Sequence, residues 1–465
     1  METKSLSDFF SIINDYFEKD KQTNKQVLTY LKPEELRQKI DLNINKQGDN
    51  IDAILDFVKE YLTYNVKSDS KQFFNQLYGG NNLPAFYGEV LTTLTNTAAH
   101  TYEVAPIAML IEKMLIEKMS KLVGYQNGDG IFSAGGSNSN MIAMFSARNK
   151  LDFDVKNNGV YGLPTLRAFV SDQAHYSHEN SANLLGIGRN NLIKIKSDKN
   201  GKMIPEELEK EILKSQKEGA LPFYVAATAA TTMLAAIDPL EEIYDIAKKY
   251  NMWFHVDAAL GGSILLTNKY KHLLKGIELA DSVAWNPHKL MNIPIVTSVI
   301  LLKEKGRLKQ NLTHLSSDYL FHSNADYNLG EKSLQCGRRI NSIKLFTAWK
   351  YHGDDGYEKR INNLFEIAEY VENKVKENPK LELQVKRQTF SVCFRYIPNK
   401  NIDLNEFNVE LRENLRKKGK TLVNYGYIGK DLTIRFININ PDVTTENIDK
   451  FFDYLLEEAK ILEQK

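Results

Sequence analysis

An aspartate and a lysine near the middle of the chain have the residue types and the setting that carbonyl chemistry requires. Asp257 follows the strand-like segment Trp253–Val256, and Lys289, 32 residues later (289 − 257), closes the segment Trp285–Lys289. A lysine amine can form a Schiff base with an aldehyde, and a buried aspartate can keep a pyridine nitrogen protonated. Pyridoxal 5′-phosphate (PLP) needs both groups, so this pair predicts PLP as the cofactor.

Three separate motifs resemble those of one enzyme family. They are His175 within Ser171–Ser177, the tetrad Asn286–Lys289 and the segment Gln335–Arg339, and they follow one another in the family's order. On these motifs the chain resembles the group II PLP-dependent amino-acid decarboxylases, most closely those acting on glutamate, aspartate and cysteine sulfinate. The resemblance extends from about Tyr87 to the C-terminus. It implies an enzyme that converts an L-amino acid, with the acidic type favoured, to the corresponding amine and carbon dioxide.

Lys289 and Asp257 also have ordinary structural interpretations. Most lysines lie on the surface, and an aspartate shortly before Gly261-Gly262 can serve a turn. The Asn-Pro-His context of Lys289 favours the cofactor role. The apolar surroundings of Asp257 favour a cofactor role for it too, because a buried carboxylate requires a cation such as a pyridinium N–H to offset its desolvation. The single methyl group of Ala259 would let the ring lie close, as the corresponding alanine does in the family.

The resemblance implies further cofactor contacts. His175 matches the family's stacking histidine, which lies over the opposite face of the ring, although a lone histidine is more often a packing or capping residue. Asn286 is predicted to bind the cofactor, and His288 to interact with its phosphate or with the substrate. Thr231 is predicted to contact the cofactor too, although the chain has Ala230 where the family usually has glycine.

A glycine-rich turn before a helical run is the predicted phosphate site. The segment Phe132–Asn140 contains Gly135-Gly136-Ser137 and precedes the helix-like run from Met141 to Lys150. Free N–H groups at a helix start favour an anion, so Gly136 and Ser137 are the predicted phosphate contacts. Such a turn can also be a plain helix cap. Its place in order before His175 and Lys289 supports the phosphate role.

Two residues are assigned to the reaction through the resemblance. Tyr319 matches the loop tyrosine that protonates Cα after carbon dioxide leaves. Its alternative is an ordinary core or surface aromatic residue, since the chain has 23 tyrosines. Relatives with phenylalanine at that position tend toward oxidative deamination, so Tyr319 favours simple decarboxylation. Arg435 matches the family's substrate-carboxylate arginine, with a structural salt bridge as its alternative.

The substrate itself is left open by the sequence. The stretch Thr95–Glu103 resembles the pocket segment of the acidic-substrate enzymes, and His100 is the predicted substrate contact there. However, Ala99-His100 replaces bulkier residues, Leu260 stands where an aromatic is common, and Asn180 stands where a lysine is usual. An aromatic or other polar substrate, another PLP lyase, an aldehyde synthase and a catalytically silent PLP-binding scaffold are the alternatives.

The composition excludes several classes of partner. The 60 basic and 59 acidic residues nearly cancel, which gives no electrostatic case for nucleic acid or an anionic membrane. The chain has two cysteines, without metal-ligand spacing, so we expect a cytoplasmic protein and no metal site. No apolar run is long enough for a membrane span. The family resemblance implies a homodimer with active sites at the subunit interface.

The elements that must position these residues alternate between short apolar runs and longer amphipathic runs. Such alternation predicts an α/β fold, a mostly parallel sheet with helices on both faces, and ligands gather outside the carboxyl ends of its strands. The resemblance implies the PLP-dependent transferase-like fold, fold type I. We predict a helical dimerisation segment over 1–75, a large PLP-binding domain over 76–350 and a small α+β domain over 351–465.

Overall fold

The computed structural model describes residues 2–20, 26–151, 154–312, 320–322, 325–399 and 402–464. The helices in these residues include one interrupted by a non-helical residue, Gly353 in α12. They are α1 Glu2–Asp20, α2 Pro33–Lys39, α3 Ile51–Tyr64, α4 Leu83–Thr95, α5 Pro106–Val123, α6 Gly136–Asn149, α7 Val155–Asn158, α8 Ser177–Leu184, α9 Pro205–Lys217, α10 Leu240–Lys249, α11 Arg307–Leu312, α12 Ser342–Glu377, α13 Leu404–Lys418 and α14 Thr445–Glu463.

The strands are short, as the apolar runs of the sequence predict. They are β1 Phe73–Phe74, β2 Asp129–Ser133, β3 Leu166–Ser171, β4 Leu192–Ile195, β5 Leu221–Thr228, β6 Trp253–Ala258, β7 Ser282–Trp285, β8 Ser298–Leu302, β9 Leu381–Leu383, β10 Ser391–Tyr396, β11 Leu422–Ile428 and β12 Asp431–Ile437. Within the described residues, no helix combines the length and the apolar character that crossing a membrane needs.

The chain forms two compact units. The first consists of Met1–Gly80, Tyr370–Gln384 and Val392–Lys465. It holds a five-stranded sheet in the order β1-β11-β12-β10-β9. The two-residue strand β1 pairs in parallel with β11, and α13 packs on β11, β12 and α14. Residues from the start of the chain therefore complete a sheet built mainly from its end.

The second unit, Asn81–Glu369 with Val385–Ser391, is built on a seven-stranded sheet. Its order is β2-β8-β7-β6-β5-β3-β4, and β8 is antiparallel to both of its neighbours while the other pairs are parallel. Every residue of β6, β7 and β8 is buried, which requires cover on both faces of the sheet. Helix α6 packs on β5 to β8, and α9 and α10 pack on β5. The predicted mostly parallel α/β fold is confirmed.

The strand directions bring several loops to one edge of this sheet. Because β2 and β7 are both antiparallel to β8, six of the seven strands run the same way. The segments after β2, β3, β5, β6 and β7 therefore leave at the same edge, where ligands of such sheets bind. These segments carry the predicted cofactor residues from Gly136 to Lys289. The fold thus supplies the physical reason why residues so far apart in sequence can share one site.

Candidate active site

Asp257 lies at the centre of the sheet, near the carboxyl end of β6. In register it is paired with Thr228 on β5 and with Ala284 on β7. Its side chain is buried, with 4% of the residue exposed. Oδ2 accepts a hydrogen bond from Nδ2 of Asn140 at 2.8 Å, and Oδ1 accepts one from the backbone N–H of Ala259 at 3.1 Å. The carboxylate is therefore held by donors on both oxygens.

The carboxyl group of Asp257 is kept ionised by its surroundings. Burial would by itself raise its pKa. The imidazole of His178, whose Nε2 lies 3.5 Å from Oδ2, and the charge of Lys289 outweigh burial and lower the pKa below its usual value. An ionised carboxylate can pair with a protonated ring nitrogen, as the predicted role requires.

Lys289 stands on the turn that follows β7, the strand beside β6. Its backbone N–H donates to the carbonyl of Asn286 at 3.0 Å, and the N–H of Asn292 donates to its own carbonyl at 2.9 Å. Its charge lowers the pKa values of Asp257, His175 and His288 alike. Lys289 therefore lies within electrostatic range of the predicted acid and both predicted histidines, at the same edge of the sheet.

His175 follows β3 and starts the segment that leads into α8. Its Nδ1 accepts a hydrogen bond from the backbone N–H of Ser177 at 3.2 Å, and its ring lies 4.2 Å from that of Tyr176, centroid to centroid. Burial lowers its pKa, and so does the charge of Lys289, against the opposing effect of Asp257. Because Nδ1 accepts from the N–H of Ser177, the neutral form of the ring carries its proton on Nε2.

The predicted phosphate site lies at the start of α6, a helix of 14 residues. Gly135 precedes it with a φ of 118°, and the N–H groups of Asn138 and Ser139 donate to the carbonyl of Gly135. A Cβ on Gly136 would come within 2.6 Å of Nδ2 of Asn286. The helix start thus sits directly against the turn that carries Lys289.

Asn286 fixes the position of that turn. Its backbone N–H donates to the carbonyl of Ala259 at 3.2 Å, and its Oδ1 accepts a hydrogen bond from the hydroxyl of Ser298 on β8 at 2.5 Å. Together with its carbonyl bond to Lys289, these contacts tie the end of β7 to the end of β6 and to β8. The main observable role of Asn286 is to hold the lysine turn in place.

Comparisons with known proteins agree with this arrangement. A family model described as the pyridoxal-dependent decarboxylase conserved domain matches residues 33–397. The mouse cysteine sulfinic acid decarboxylase is 37% identical over 99% of this chain and 96% of its own length. The human acidic amino acid decarboxylase GADL1 is 38% identical over 94% of this chain and 86% of its own. The crystal structure of mouse CSAD in apo form covers 99% of this chain and 98% of that chain, with a TM-score of 0.94 at 37% identity.

The chain belongs to the pyridoxal-dependent decarboxylase family. It is a PLP-dependent amino-acid decarboxylase, and the predicted reaction type and cofactor are confirmed. Solved structures of a Catharanthus roseus tryptophan decarboxylase and a Rhodiola rosea 4-hydroxyphenylacetaldehyde synthase share the fold at 22% and 23% identity.

The residues of this decarboxylase fit PLP. A carboxylate can accept about four hydrogen bonds. Asn140 and Ala259 use two of these positions on Asp257 and His178 approaches a third, which leaves one for a ring N–H. The amine of Lys289 would hold the cofactor aldehyde, and the first turn of α6 has the N–H groups that a phosphate needs.

Gly136→Ala is expected to weaken PLP binding by at least about tenfold, the scale of losing one charge-assisted hydrogen bond. The reason is steric, because the new methyl would displace the Asn286 side chain and with it the lysine turn. A cofactor titration followed by absorbance measures the dissociation constant. Gly356→Ala in α12 is the control, since its nearest contact is a side chain of its own helix at 3.1 Å. Unchanged affinity in the Gly136 variant would contradict a tight contact at this position.

The remaining cofactor predictions, His288 and Thr231, lie in the same unit, the first partly buried and the second buried. His288 is bound at Nδ1 by Thr297, whose carbonyl lies 2.6 Å away, and burial is the main reason why its pKa is lowered to about 4. It is therefore neutral at physiological pH. The hydroxyl of Thr231 accepts the N–H of Ala236 at 3.1 Å and thus closes its own turn. The roles of these residues toward PLP stay predictions.

Ala230 is strained in this turn. Its φ is 75°, in the left-handed region that favours the glycine usual in the family, and its N–H donates to the carbonyl of Ala236 at 3.0 Å. Strain of about 1–2 kcal/mol is opposed by the extra freedom of an unfolded glycine, about 0.4–1 kcal/mol. Ala230→Gly is therefore expected to raise the free energy of unfolding by about 1 kcal/mol, measured by denaturant titration. Ala236→Gly, where φ is not positive, should lower it, and a destabilised Ala230 variant would refute the strain.

The two predicted substrate contacts, His100 and Arg435, both lie within the described residues. The ring of His100 is buried and stacks on Phe321 at a centroid distance of 5.1 Å. Arg435 lies on β12 of the first unit, where Nη2 donates to the carbonyl of Asn75 at 2.7 Å. Tyr319 lies outside the described residues. The roles of all three stay predictions.

Sequence reasoning missed three side chains next to Asp257. Asn140 on α6 and His178 on α8 both approach its carboxylate, and His255 on β6 contacts Asn140. One signal was available, because His255 is a polar residue inside an otherwise apolar strand, two positions before Asp257 and so on the same face of the sheet. Nothing in the spacing of Asn140 or His178 marks them, because helix packing brings them there.

Proposed function

We propose that the chain decarboxylates an acidic L-amino acid, such as glutamate, aspartate or cysteine sulfinate, to the corresponding amine and carbon dioxide. One observation carries this proposal. The relatives that match at 37–38% identity over nearly the whole chain are named for cysteine sulfinic acid and for acidic amino acids. The structures named for tryptophan and for an aldehyde product match at only 22–23% identity, which supports the fold and no substrate.

The residues of the site would divide the work between them. When bound, PLP supplies an electron sink for the pair left on Cα as carbon dioxide departs. Lys289 would hold the cofactor covalently and give way to the substrate amine. Asp257 would keep a proton on the ring nitrogen, and His175 would confine the ring. Tyr319 is the proposed proton donor to Cα.

We propose that Arg435 and His100 recognise the substrate. A guanidinium binds a carboxylate through two parallel hydrogen bonds, which suits Arg435 as a ligand of an anionic substrate. His100 would shape the pocket, since its ring is fixed against Phe321. Arg435→Lys keeps the charge and loses the paired geometry, so a raised KM with little change in kcat would support this role.

A substrate panel tests the proposed specificity. The purified protein, loaded with PLP, is assayed for carbon dioxide release from glutamate, aspartate, cysteine sulfinate, tyrosine and tryptophan. We expect kcat/KM for the best acidic substrate to exceed that for either aromatic substrate by at least about a hundredfold. The reason is that an apolar side chain leaves without partners the polar groups of a site built for a charged side chain. A preference for an aromatic substrate would refute the acidic specificity. Release of ammonia or hydrogen peroxide would refute simple decarboxylation.

We also propose that the enzyme is a homodimer. Helices α4 and α5 carry exposed apolar residues at helical spacing, which monomers rarely leave uncovered. They are Leu83, Tyr87, Leu91 and Leu94 on α4 and Ile107, Leu110 and Met114 on α5. A second copy of the chain is the occupant that the family resemblance implies for this surface.

The oligomeric state tests this surface. Light scattering of the intact protein should give twice the chain mass of 53.2 kDa. The double variant Leu94→Arg/Ile107→Arg should shift the population to monomers, because it places cations in an apolar contact. Tyr161→Arg is the control, since Tyr161 is 98% exposed and lies elsewhere. A dimer that survives the double variant unchanged would exclude this face.

We propose a cytoplasmic location. Cys336 and Cys393 are both free, the first exposed and the second buried, as a reducing compartment allows. Cell fractionation should recover the decarboxylase activity with cytosolic markers, and recovery with a membrane fraction would contradict the proposal.

A further inference from the structure

A series of hydrogen bonds runs through the sheet to the carboxylate of Asp257. Nε1 of Trp253 donates to Oγ of Ser282 at 2.8 Å, and the same Oγ lies 2.9 Å from Nδ1 of His255. Nε2 of His255 lies 3.0 Å from Oδ1 of Asn140, whose Nδ2 donates to Asp257 at 2.8 Å. All five side chains are buried. We call these five residues the hydrogen-bond series.

The chemistry of the groups fixes the direction of every bond. An ionised carboxylate only accepts, so Asn140 must turn its amide nitrogen toward Asp257; its second N–H donates to Oγ of Ser177 at 2.9 Å. The amide oxygen then faces His255, which must carry its proton on Nε2. At the other end an indole N–H only donates, so the oxygen of Ser282 accepts from Trp253.

The link between His255 and Ser282 follows from the neutrality of the ring. Burial, with a smaller effect of the charge of His178, lowers the pKa of His255 to about 3, so its Nδ1 has a lone pair at physiological pH. The hydroxyl proton of Ser282 satisfies that lone pair. The carbonyl of Ser282 also lies 3.1 Å from Nδ1 and would accept from the opposite tautomer. That tautomer would leave two acceptors, Nε2 and the amide oxygen of Asn140, facing each other.

We propose that Asn140, His255 and Ser282 are positioning residues that orient Asp257 and thereby set how firmly a proton is held on the ring nitrogen of the bound cofactor. Each donor in the series points toward the carboxylate, and hydrogen bonds aligned in a buried environment polarise one another. The proposal rests on the family membership and on this geometry, and it is independent of which amino acid is the substrate.

Other charged or titratable groups also face Asp257. They are His178 on α8, His175 before α8, Lys289 after β7 and Tyr224 on β5, whose pKa is raised by burial and by the charge of Asp257. The hydrogen bonds of the series pass through none of them. A change confined to Ser282 therefore reaches Asp257 through His255 and Asn140.

Ser282→Ala is the sharpest variant. It removes the donor to Nδ1 and leaves the backbone carbonyl as the partner of that atom, so we expect His255 to move its proton to Nδ1. The amide of Asn140 would then have to turn its nitrogen to His255 and its oxygen to Asp257. Ser282→Thr keeps the hydroxyl and should restore the original tautomer.

Ser263→Ala is a matched control for losing a buried serine hydroxyl. Ser263 accepts the indole N–H of Trp285 at 3.0 Å, as Ser282 accepts that of Trp253. Ser263 is fully buried, and the hydrogen-bond series does not include it. The control therefore reproduces the loss of a Trp–Ser hydrogen bond without touching His255.

Three measurements test the proposal: the tautomer of His255, the titration and affinity of the cofactor, and kcat with KM. The 15N chemical shifts of His255 in the cofactor-free protein report the tautomer directly, with His255→Gln used to assign the signal. In the PLP-loaded protein, the pH dependence of cofactor absorbance and the cofactor dissociation constant report the ring nitrogen. In the unmodified chain we expect the proton on Nε2 of His255. In Ser282→Ala we expect the pH titration of the cofactor absorbance to shift and PLP to bind about tenfold more weakly, the scale of one hydrogen bond to a charged group.

The outcomes separate cleanly. A lower kcat in Ser282→Ala with KM changed less than twofold, rescued in Ser282→Thr and absent in Ser263→Ala, supports the proposal. A proton on Nδ1 of His255 in the unmodified chain overturns it, and so does a Ser282→Ala protein whose cofactor titration and affinity match those of Ser263→Ala. The tautomer measurement needs no substrate, so it stands even if the proposed specificity fails.

Discussion

Lys289→Ala is expected to lower kcat/KM by at least about a thousandfold, the scale of removing a group that acts in proton transfer and in covalent attachment. Lys289 presents an amine at the edge of the sheet that also carries Asp257, His175 and His288, and its charge lowers the pKa of all three. Borohydride reduction of the loaded enzyme, followed by peptide mass analysis, should find the cofactor on the peptide containing Lys289. The variant should give no such adduct.

A second substitution separates the amine from its charge. Lys289→Arg keeps a cation beside Asp257 but has no group that can attach the aldehyde, because a guanidinium stays protonated. We expect it to be as inactive as Lys289→Ala. Lys303→Ala is the control, because Lys303 follows the antiparallel strand β8 and is exposed at the opposite edge of the sheet. Substantial activity or a reducible adduct in either Lys289 variant would contradict the assignment.

The sequence was sufficient for the framework of the site. The run Trp253–Val256 was predicted as a strand because a short, mostly apolar segment suits a sheet covered on both faces, and the structure has strand β6 there. Parallel strands then bring Asp257 and Lys289 to one edge without any knowledge of their contacts. The family motifs supplied the identity of the cofactor. Together these arguments explain why fold, cofactor and reaction type were predictable.

Features set by packing between distant segments were not predictable. Asn140 reaches Asp257, 117 positions away, because α6 crosses several strands of the sheet. His178 reaches the same carboxylate from α8, and no periodicity of the sequence indicates either approach. The strand β1 is a similar case, because two residues that lack a clear pattern pair with Leu422 and Val423 near the other end of the chain. Hydrogen-bond directions and tautomers depend on such contacts and so lie beyond sequence reasoning.

Asp257→Asn is the second substitution, after Lys289→Ala, for which we expect a large loss of activity. Its kcat should fall about a thousandfold, the scale of removing one group that stabilises charge in the transition state. The loss has two parts. A neutral amide cannot hold a proton on the ring nitrogen, so the electron sink weakens. An amide also fits poorly, because both oxygens of Asp257 accept N–H groups, from Ala259 and from Asn140, and either orientation of the new NH2 group faces one of these donors.

Asp281→Asn shows whether the effect belongs to this carboxylate or to any carboxylate of the sheet that accepts a backbone N–H. Asp281 precedes β7 at the opposite edge, where its side chain accepts the N–H of Phe254 at 2.9 Å and burial raises its pKa. Its amide variant should keep kcat and cofactor absorbance within about twofold of the unmodified enzyme, as expected for a site without contact to the reacting groups. Asp257→Glu restores the charge at a displaced position and should recover only part of the activity, because the carboxylate must meet a ring nitrogen whose place is fixed by Lys289. Equal kcat in the Asp257→Asn and Asp281→Asn proteins would show that the charge of Asp257 does not act on the cofactor.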